Sequence, residues 1–326
     1  MNNTLPVFFL AMMAATALCV VYRQRAAAAG WLAHPEARSS HRVATVSGAG
    51  VAVFSALSLS LLLVGPPLPW AGFVLLITSA LLSLLGLADD LAHLGVRLRL
   101  GLYALAASLT ALWLCSPGQS PSDWAFAGLA ALWILAFINL FNFMDGIDGL
   151  AALQALSASL VLGVLAALQG ASDWYVAFCL ATAGAFTGLL FLNFPPARLF
   201  MGDAGSIPGG YLLASLLVAG WCIEGIPIYP GLILLALFIA DSVTTLVFRL
   251  WRREAVWQAH RQHLYQRLAL CWQSHRRVDL LFLTVQWFWL APLALVASLQ
   301  PGHAAVLVVL AYLPLLIAMV KLRSIK

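Results

Sequence analysis

The feature that most constrains this chain is a series of apolar runs in which only every second connection carries positive charge. If the N-terminus lies outside, all 17 Lys and Arg residues fall in the inner segments. The outer loops then hold only the acids Asp123, Asp173 and Glu224. Because basic residues stay on the cytoplasmic side during insertion, this asymmetry predicts the orientation. The eleven predicted spans are 5–22, 47–64, 68–87, 100–115, 124–141, 151–168, 174–194, 208–223, 229–248, 279–299 and 303–320.

A composition of 63% hydrophobic and 9% charged residues excludes an ordinary soluble globule, which needs more polar surface. We therefore predict an all-α integral membrane protein. It is a bundle of about eleven transmembrane helices with cytoplasmic catalytic loops, a single polytopic domain over residues 1–326. Arg23 and Arg25 follow the first span directly, the reverse of a signal peptide, so this span is expected to stay as an anchor. Topology and anionic lipids explain the pI near 9.1, and no nucleic acid partner is expected.

Cysteine spacing indicates neither a metal cluster nor a disulfide framework. The five cysteines, Cys19, Cys115, Cys179, Cys222 and Cys271, are scattered and are expected to be small core residues. Tryptophans mark the outer ends of four spans, as amphipathic rings do at a headgroup layer. These are Trp70, Trp124, Trp174 and Trp221.

The most specific motif runs from Ile138 to Ala151, with polar residues at every third position: Asn139, Asn142, Asp145 and Asp148. In an α-helix or a 3₁₀ turn these side chains share one broad face. Gly146 and Gly149 allow a ligand or another backbone to approach. Two amides and two carboxylates suit a hard cation such as Mg²⁺. The alternative is a helix end with capping polar residues.

An acidic pair, Asp89 and Asp90, ends the third span and is followed by Arg97 and Arg99. Neighbouring helical residues point about 100° apart, so both carboxylates can face one ligand only if the helix unwinds there. One is therefore predicted to contact the ligand and the other to support it. The alternative is an interfacial salt bridge with the arginines.

The segment from Asn193 to Ser206 contains Pro195 and Pro196, which are predicted to end the seventh span. It then contains Arg198 and the turn Gly202-Asp203. Glycines on either side of Asp203 allow a tight turn that presents its carboxylate and successive N–H groups to phosphate oxygens.

Two further features are polar groups in or near the ninth span. His260 and His263 lie three residues apart, and on a helix they would be neighbours able to bind a phosphate. A zinc pair and an amphipathic interfacial helix carrying Trp251, Trp257 and Trp272 are the alternatives. Asp241 lies within the span, where an acid is costly, so it is either functional or paired for helix packing.

Together these motifs resemble the polyprenyl-phosphate N-acetylhexosamine-1-phosphate transferase superfamily, or glycosyltransferase family 4. The order matches from the Arg38-Ser39-Ser40-His41 segment through Asp89-Asp90, Asn139 to Gly149, Gly202-Asp203 and the histidine loop. The chain departs from the family pattern at Ala44, Val46 and Ser47, where many members have a basic residue and prolines. The histidine loop, His260 to Gln266, resembles the branch that initiates O-antigen.

The resemblance implies an enzyme that moves a HexNAc 1-phosphate from a UDP-N-acetylhexosamine to undecaprenyl phosphate, releasing UMP. It implies Mg²⁺, with Mn²⁺ as an alternative, and the bacterial inner membrane with the C-terminus cytoplasmic. Membrane lipids are further partners, and a homo-oligomer is left open. By position it places Asn142, Asp203 and nearby Asp145 at the metal and diphosphate, and Asp89 and Asp90 near the lipid phosphate.

Residues and resemblance together predict a set of site residues. Which Asp contacts the metal, and whether Asp89 or Asp90 is a base, stay open. A multi-pass transporter or lipid flippase is the main rival, although its polar groups should line a path through the midplane. The set is catalytic Asp89, Asp90, Asp145 and Asp148; substrate-binding Asn139, Asn193, Arg97, Arg99, Arg198, Gly202, His260 and His263; and metal-binding Asn142, Asp145 and Asp203.

Overall fold

A computed structural model describes residues 4–33, 44–116, 118–254 and 261–322, and most of them are helical. One short antiparallel pair, β1 (Leu32–Ala33) with β2 (Thr45–Val46), precedes the second helix. The helices are α1 (Leu5–Ala28), α2 (Gly50–Val64), α3 (Trp70–Ala92), α4 (Val96–Cys115), α5 (Pro121–Met144), α6 (Leu150–Leu168), α7 (Asp173–Asn193), α8 (Asp203–Cys222), α9 (Ile228–Leu234), α10 (Ala236–Trp251), α11 (Leu264–Trp272), α12 (His275–Val285), α13 (Ala291–Leu299) and α14 (Ala304–Lys321).

The helices confirm an all-α multi-pass membrane protein. Within the described residues, nine helical segments are long and apolar enough to cross a membrane, and the bent pair α9 and α10 makes ten. The helix α2 is apolar but has only 15 residues, fewer than the roughly 20 that a perpendicular crossing needs. Each of the eleven predicted spans overlaps one of these segments.

Two spans are less regular than the sequence predicts. The ninth is bent by 69° between α9 and α10, although its apolar run is continuous. The tenth passes through a π-helical segment, Gln286–Leu290, between α12 and α13. Pro292 lies two residues after this segment, and a proline lacks the N–H donor that a regular α-helix needs.

The helix α8 forms the centre of the bundle. Every residue from Ala204 to Gly220 is buried, and α8 packs against α2, α3, α4 and α5. By contrast, α1 and α14 expose much of their apolar surface, as helices facing lipid do. A charged group at the start of α8 is therefore fixed by protein contacts on most sides.

Glycines let α2 and α3 approach the first turn of α8 at backbone distance. A Cβ atom on Gly50 would lie 2.1 Å from the carbonyl carbon of Ala204. One on Gly86 would lie 2.3 Å from the carbonyl oxygen of Asp203. Both distances are shorter than real contacts allow, so these positions require glycine for the observed packing.

The segment before α8 is also held by backbone hydrogen bonds. Phe200 donates its N–H to Val46 (2.8 Å), and the N–H groups of Ala49 and Gly50 reach back to Phe200 (3.1 Å) and Met201 (3.0 Å). The chain that follows β2 thus fixes where α8 begins.

The four tryptophans predicted at a headgroup layer lie at the ends of their helices. Trp70, Trp124 and Trp221 are exposed there. Trp174 is buried and contacts Tyr175 edge-on, with 5.8 Å between the ring centroids. The headgroup position of the four rings stays a prediction.

Candidate active site

Asp203 is the first residue of α8 and the point on which the site converges. Gly202 precedes it with φ +67°, a conformation that favours glycine. A Cβ atom on Gly202 would also lie 2.3 Å from a carboxylate oxygen of Asp90. The Asp203 carboxylate accepts hydrogen bonds from Asn142 (2.8 Å) and from Arg99 (3.3 Å).

Asp90 caps α8 from the last turn of α3. Its two carboxylate oxygens accept the N–H groups of Asp203 (3.0 Å) and Ala204 (3.2 Å). A carboxylate at a helix N-terminus satisfies unpaired donors and complements the helix dipole. The prediction that these N–H groups face phosphate oxygens is wrong, because Asp90 occupies them in this structure.

Asp89 is linked to Asp203 through the side chain of Arg99. It is buried, and its carboxylate forms an ion pair with Arg99, whose guanidinium also contacts Asp203. The main-chain N–H of Leu94 donates to its other oxygen (2.7 Å). Asp90 therefore contacts the backbone of Asp203, and Asp89 is linked to the Asp203 carboxylate through Arg99. The helix α3 continues to Ala92, so no unwinding is needed, and the alternative salt bridge is present.

The polar residues at the end of α5 divide between two environments. Asn142 donates to Asp203 and to the Ser206 hydroxyl (2.8 Å each), which leaves its amide oxygen as the group able to bind a cation. Asn139, one turn earlier, donates to the carbonyl of Leu135 (2.8 Å). The Asn139 amide is thus bonded to its own helix, and its contact with substrate stays a prediction.

Asp145 follows α5 and lies among the other acids. Burial raises the pKa of Asp145 well above its ordinary value, and the charges of Asp203, Asp90 and Asp148 raise it further. Carboxylates that neighbour one another in this way repel each other when they are ionised. A cation placed among them would relieve that repulsion.

Asp148 belongs to a second cluster on the side of α12. One carboxylate oxygen lies 3.2 Å from Nδ1 of His275, and the other accepts the N–H of Ala197 (3.0 Å). Nearby, the buried Asn193 accepts the N–H of Gly149 (3.2 Å) and donates to the carbonyl of Leu199 (2.9 Å). Asp148 and Asn193 thus hold the loops after α5 and α7 together.

Two predicted substrate-binding arginines stand apart from the acids. Arg97 and Arg198 are exposed. The Arg198 guanidinium donates to the carbonyl of Phe191 (3.0 Å) in the last turn of α7. Of the three arginines, the structure brings only Arg99 into the acid cluster, and substrate contacts of the other two stay a prediction.

The histidine loop is arranged differently from the prediction. His260 and the Arg38-Ser39-Ser40-His41 segment lie outside the described residues. The helix α11 begins only at Leu264, so the prediction of a helix carrying both histidines is wrong. His263 is 2% exposed and its Nδ1 lies 3.4 Å from Asp241. The ring also stacks on Tyr265, with 5.7 Å between centroids.

Asp241 anchors this loop to the bundle. Its carboxylate accepts the N–H groups of Leu264 (2.9 Å) and Tyr265 (3.1 Å), the first turn of α11. The pairing alternative for Asp241 is therefore the one that the structure shows.

Tyr265 joins α11 to the loop that carries Asp145. Its hydroxyl donates to the carbonyl of Phe143 (2.8 Å). A Cβ atom on Gly146 would lie 2.1 Å from that hydroxyl oxygen. Burial raises the pKa of Tyr265 well above its ordinary value, and the charges of Asp241 and Asp145 add to this.

Sequence reasoning missed four residues near the site: Tyr265, Ser206, His275 and Asp279. Asp279 is fully buried on α12, and a Cβ atom on Gly149 would lie 2.9 Å from its carboxylate. Asp279 could have been found from the sequence, because it is an acid at the first position of a predicted apolar span. The sequence spacing of Tyr265, Ser206 and His275 does not indicate that they lie near the site.

The residues fit a Mg²⁺ ion whose coordination shell is completed by oxygen atoms of the substrate. Among the described residues, no three His, Cys, Asp or Glu side chains are arranged to hold a metal by themselves. Asp145 and Asp203 supply two carboxylates, and Asn142 supplies an amide oxygen. Mg²⁺ is commonly bound through one or two carboxylates together with substrate phosphates and water.

The part of the chain that carries the acid cluster is similar to known proteins. The family model described as glycosyl transferase family 4 matches residues 72–221. The phospho-N-acetylmuramoyl-pentapeptide-transferase of Moorella thermoacetica is 31% identical over 213 residues, covering 58% of this chain and 66% of that protein. The probable undecaprenyl-phosphate N-acetylglucosaminyl 1-phosphate transferase of Bacillus subtilis is 26% identical over 155 residues, covering 47% and 43%. Over residues 72–221, the chain is therefore similar to glycosyl transferase family 4.

This family is the polyprenyl-phosphate N-acetylhexosamine-1-phosphate transferase superfamily, and the resemblance found in the motifs is confirmed. The matched residues run from α3 to α8 and include Asp89, Asp90, Asn142, Asp145 and Asp203. The chain spans less than two thirds of the length of the Moorella and Bacillus relatives. The phospho-N-acetylmuramoyl-pentapeptide-transferase of Gluconobacter oxydans is 28% identical over 266 residues, covering 67% of this chain and 69% of that protein.

Proposed function

We propose that this protein transfers a HexNAc 1-phosphate from a UDP-sugar to undecaprenyl phosphate and releases UMP. The observation that carries the proposal is the meeting of Asp89, Asp90, Arg99 and Asn142 at Asp203. These residues come from four helices, and they meet at one end of the bundle. The printed names of the Moorella and Bacillus relatives describe phospho-sugar transferases, which supports the same reaction class.

The reaction is an in-line displacement. An oxygen of the lipid phosphate attacks the sugar-bearing phosphorus, the bond from that phosphorus to the bridging oxygen breaks, and UMP leaves with the bond electrons. Two anions must approach each other, so neutralising charge is the main task. Bound Mg²⁺, held by Asp145, Asp203 and Asn142, would supply positive charge to the diphosphate oxygens.

The chain's own residues position these groups. Arg99 contributes a positive charge between Asp89 and Asp203 and limits their repulsion. Asp90 orients Asp203 through the backbone of α8. The second pKa of a phosphate monoester is about 6, so the nucleophile is largely ionised at neutral pH without a protein base. We therefore assign Asp90 a positioning role and Arg99 the binding of the lipid phosphate, with Asp89 orienting the Arg99 guanidinium.

We further propose the cellular setting. The site lies at the cytoplasmic face of the bacterial inner membrane, the N-terminus is outside, and the whole chain acts as one domain. The lipid-linked sugar that the protein makes initiates the synthesis of O-antigen or a related envelope polymer. The placement of the basic residues supports this orientation, because the predicted topology assigns all 17 Lys and Arg residues to the inner segments.

The rival transporter function is less well supported. A transporter needs polar groups along a path through the bilayer centre. In the core of α8 the polar contacts are uncharged, such as that between Thr110 and Tyr211 (2.8 Å). Among the described residues, the buried Asp89, Arg249 and Asp279 lie near the ends of their helices. The buried Asp241 lies in the first half of α10, and its carboxylate accepts the N–H groups of Leu264 and Tyr265.

A direct assay tests the proposal. Pure protein is incubated with Mg²⁺, undecaprenyl phosphate and each of several UDP-N-acetylhexosamines, and UMP and the lipid-linked sugar are both measured. We expect equimolar UMP and lipid product with one donor, and no product after chelation. Absence of product with every donor, together with uptake of a labelled donor into proteoliposomes, would favour the transporter.

A further inference from the structure

Two cysteines meet at the end of the bundle opposite the acid cluster. Cys115 is the last residue of α4 and Cys222 is the last residue of α8. Their Sγ atoms are 3.1 Å apart, closer than two unbonded sulfur atoms normally pack. These residues are 107 positions apart in the sequence, so spacing could not pair them. The prediction of small core residues is wrong for the half-buried Cys115 and Cys222 and for the exposed Cys271.

The same two helices carry site residues at their other ends. Arg99 in the first turn of α4 contacts Asp203, the first residue of α8. Between the two ends, the hydroxyls of Thr110 and Tyr211 are 2.8 Å apart. Contacts therefore join α4 to α8 at three levels, and the sulfur atoms form the outermost one.

The surroundings of the two thiols allow a water-soluble reagent to reach them. Both cysteines are half-buried. Each has an exposed tryptophan close by in its helix, Trp113 and Trp221, which is typical of the headgroup layer. In the proposed orientation this layer faces the outside, where disulfides form and persist.

We propose that Cys115 and Cys222 form a disulfide bond that locks α4 against α8. The thiolate of one cysteine attacks a disulfide of a periplasmic thiol oxidant and forms a mixed disulfide, releasing one donor thiol. The thiolate of the second cysteine then attacks the first cysteine's sulfur and releases the other donor thiol. The two cysteines lose two electrons and two protons, and the donor disulfide gains them. The proposal rests on the proposed orientation but does not depend on the proposed reaction.

The experiment counts free thiols on the full chain. Protein from membranes of cells with an oxidising periplasm is denatured without reductant, alkylated, and analysed by intact mass and peptide mapping. We expect label on Cys19, Cys179 and Cys271 only, and label on all five cysteines after reduction. Label on all five before reduction would overturn the proposal.

Matched variants give a second readout. Cys222→Ser should leave Cys115 open to label, whereas Cys271→Ser should leave the pair protected. Reduction should lower the melting temperature of the wild type and of Cys271→Ser, and leave that of Cys222→Ser unchanged, because a bond closing so long a loop restricts the unfolded chain. An equal effect of reduction on all three proteins would contradict the bond.

Discussion

At the residue scale, Asp90 and Asp203 play different parts although both are acids of the same cluster. Asp90 uses both carboxylate oxygens to cap α8, whereas Asp203 receives side-chain donors from α4 and α5. One carboxylate therefore sets the position of the other. Adjacent acids in a motif need not share a function, and here the hydrogen-bond partners separate them.

We expect Asp203→Asn to lower transfer by about 100-fold or more, because a neutral amide holds a cation more weakly than a carboxylate and forms no ion pair with Arg99. The measurement is initial rate in the purified, folded protein. Asp173→Asn is a matched control, since Asp173 is likewise the first residue of a helix but is exposed at the opposite end of the bundle. Similar rates for the two variants would remove Asp203 from the metal site.

The sequence predicted the residues of the acid cluster better than their supports. Asp89, Asn142 and Asp203 stand in short motifs at the inner ends of spans, where local pattern is informative. The partners of Tyr265 and His275 lie 122 and 127 residues away, so no local pattern contains them. Long-range contacts of this kind depend on how helices pack, which apolar periodicity alone does not specify.

At the scale of helices, the site depends on backbones that approach each other closely. Gly50 and Gly86 bring α2 and α3 against the first turn of α8, and Gly146 lets α11 approach the loop after α5. Each contact joins elements far apart in the chain. Small residues at these positions therefore determine the geometry of the acids as directly as the acids themselves.

We expect Gly86→Ala to separate α3 from α8, since its Cβ would meet the backbone at Asp203. The cost should be about 1–3 kcal/mol of stability, with a loss of transfer activity. Gly101→Ala is the control, because no atom lies within 4 Å of a Cβ there. Melting temperature and initial rate measure both effects, and equal behaviour of the two variants would contradict the packing argument.

Gly146→Ala should impair transfer by pushing Tyr265 away from Phe143. Adding Tyr265→Phe removes the hydroxyl oxygen that the new methyl group meets, so the double variant should be more active than Gly146→Ala alone. Initial rates of the two single variants and the double variant give the coupling between the positions. Strictly additive losses would show that this contact is not the cause.

At the scale of the whole molecule, the apolar runs were enough to predict the helical segments that could cross a membrane. The orientation that the charge asymmetry indicates stays a prediction. The apolar runs could not predict the 69° bend between α9 and α10, because the apolar run continues through the break. Nor could they show that α2 has too few residues to cross the hydrocarbon directly. Hydropathy measures how favourably a segment transfers into lipid. A bend within an apolar run does not change the hydropathy of that run, so hydropathy cannot predict the bend.

The predicted orientation can be tested with reporter fusions. A green fluorescent protein joined after Lys326 should fluoresce, because the C-terminus is expected in the cytoplasm. The same reporter joined after Gln169, between α6 and α7, should stay dark, and alkaline phosphatase at that site should be active. The opposite pattern at both sites would reverse the orientation and place the acid cluster outside.

The burial of α8 has a consequence for the membranes in which this protein can work. Lipids of different acyl-chain length alter the thickness of a bilayer, and helices in contact with them respond by tilting. Because α8 is enclosed by its neighbours from Ala204 to Gly220, the height of Asp203 is set by protein packing. Growth temperatures that remodel the fatty acids should therefore leave the catalytic geometry unchanged.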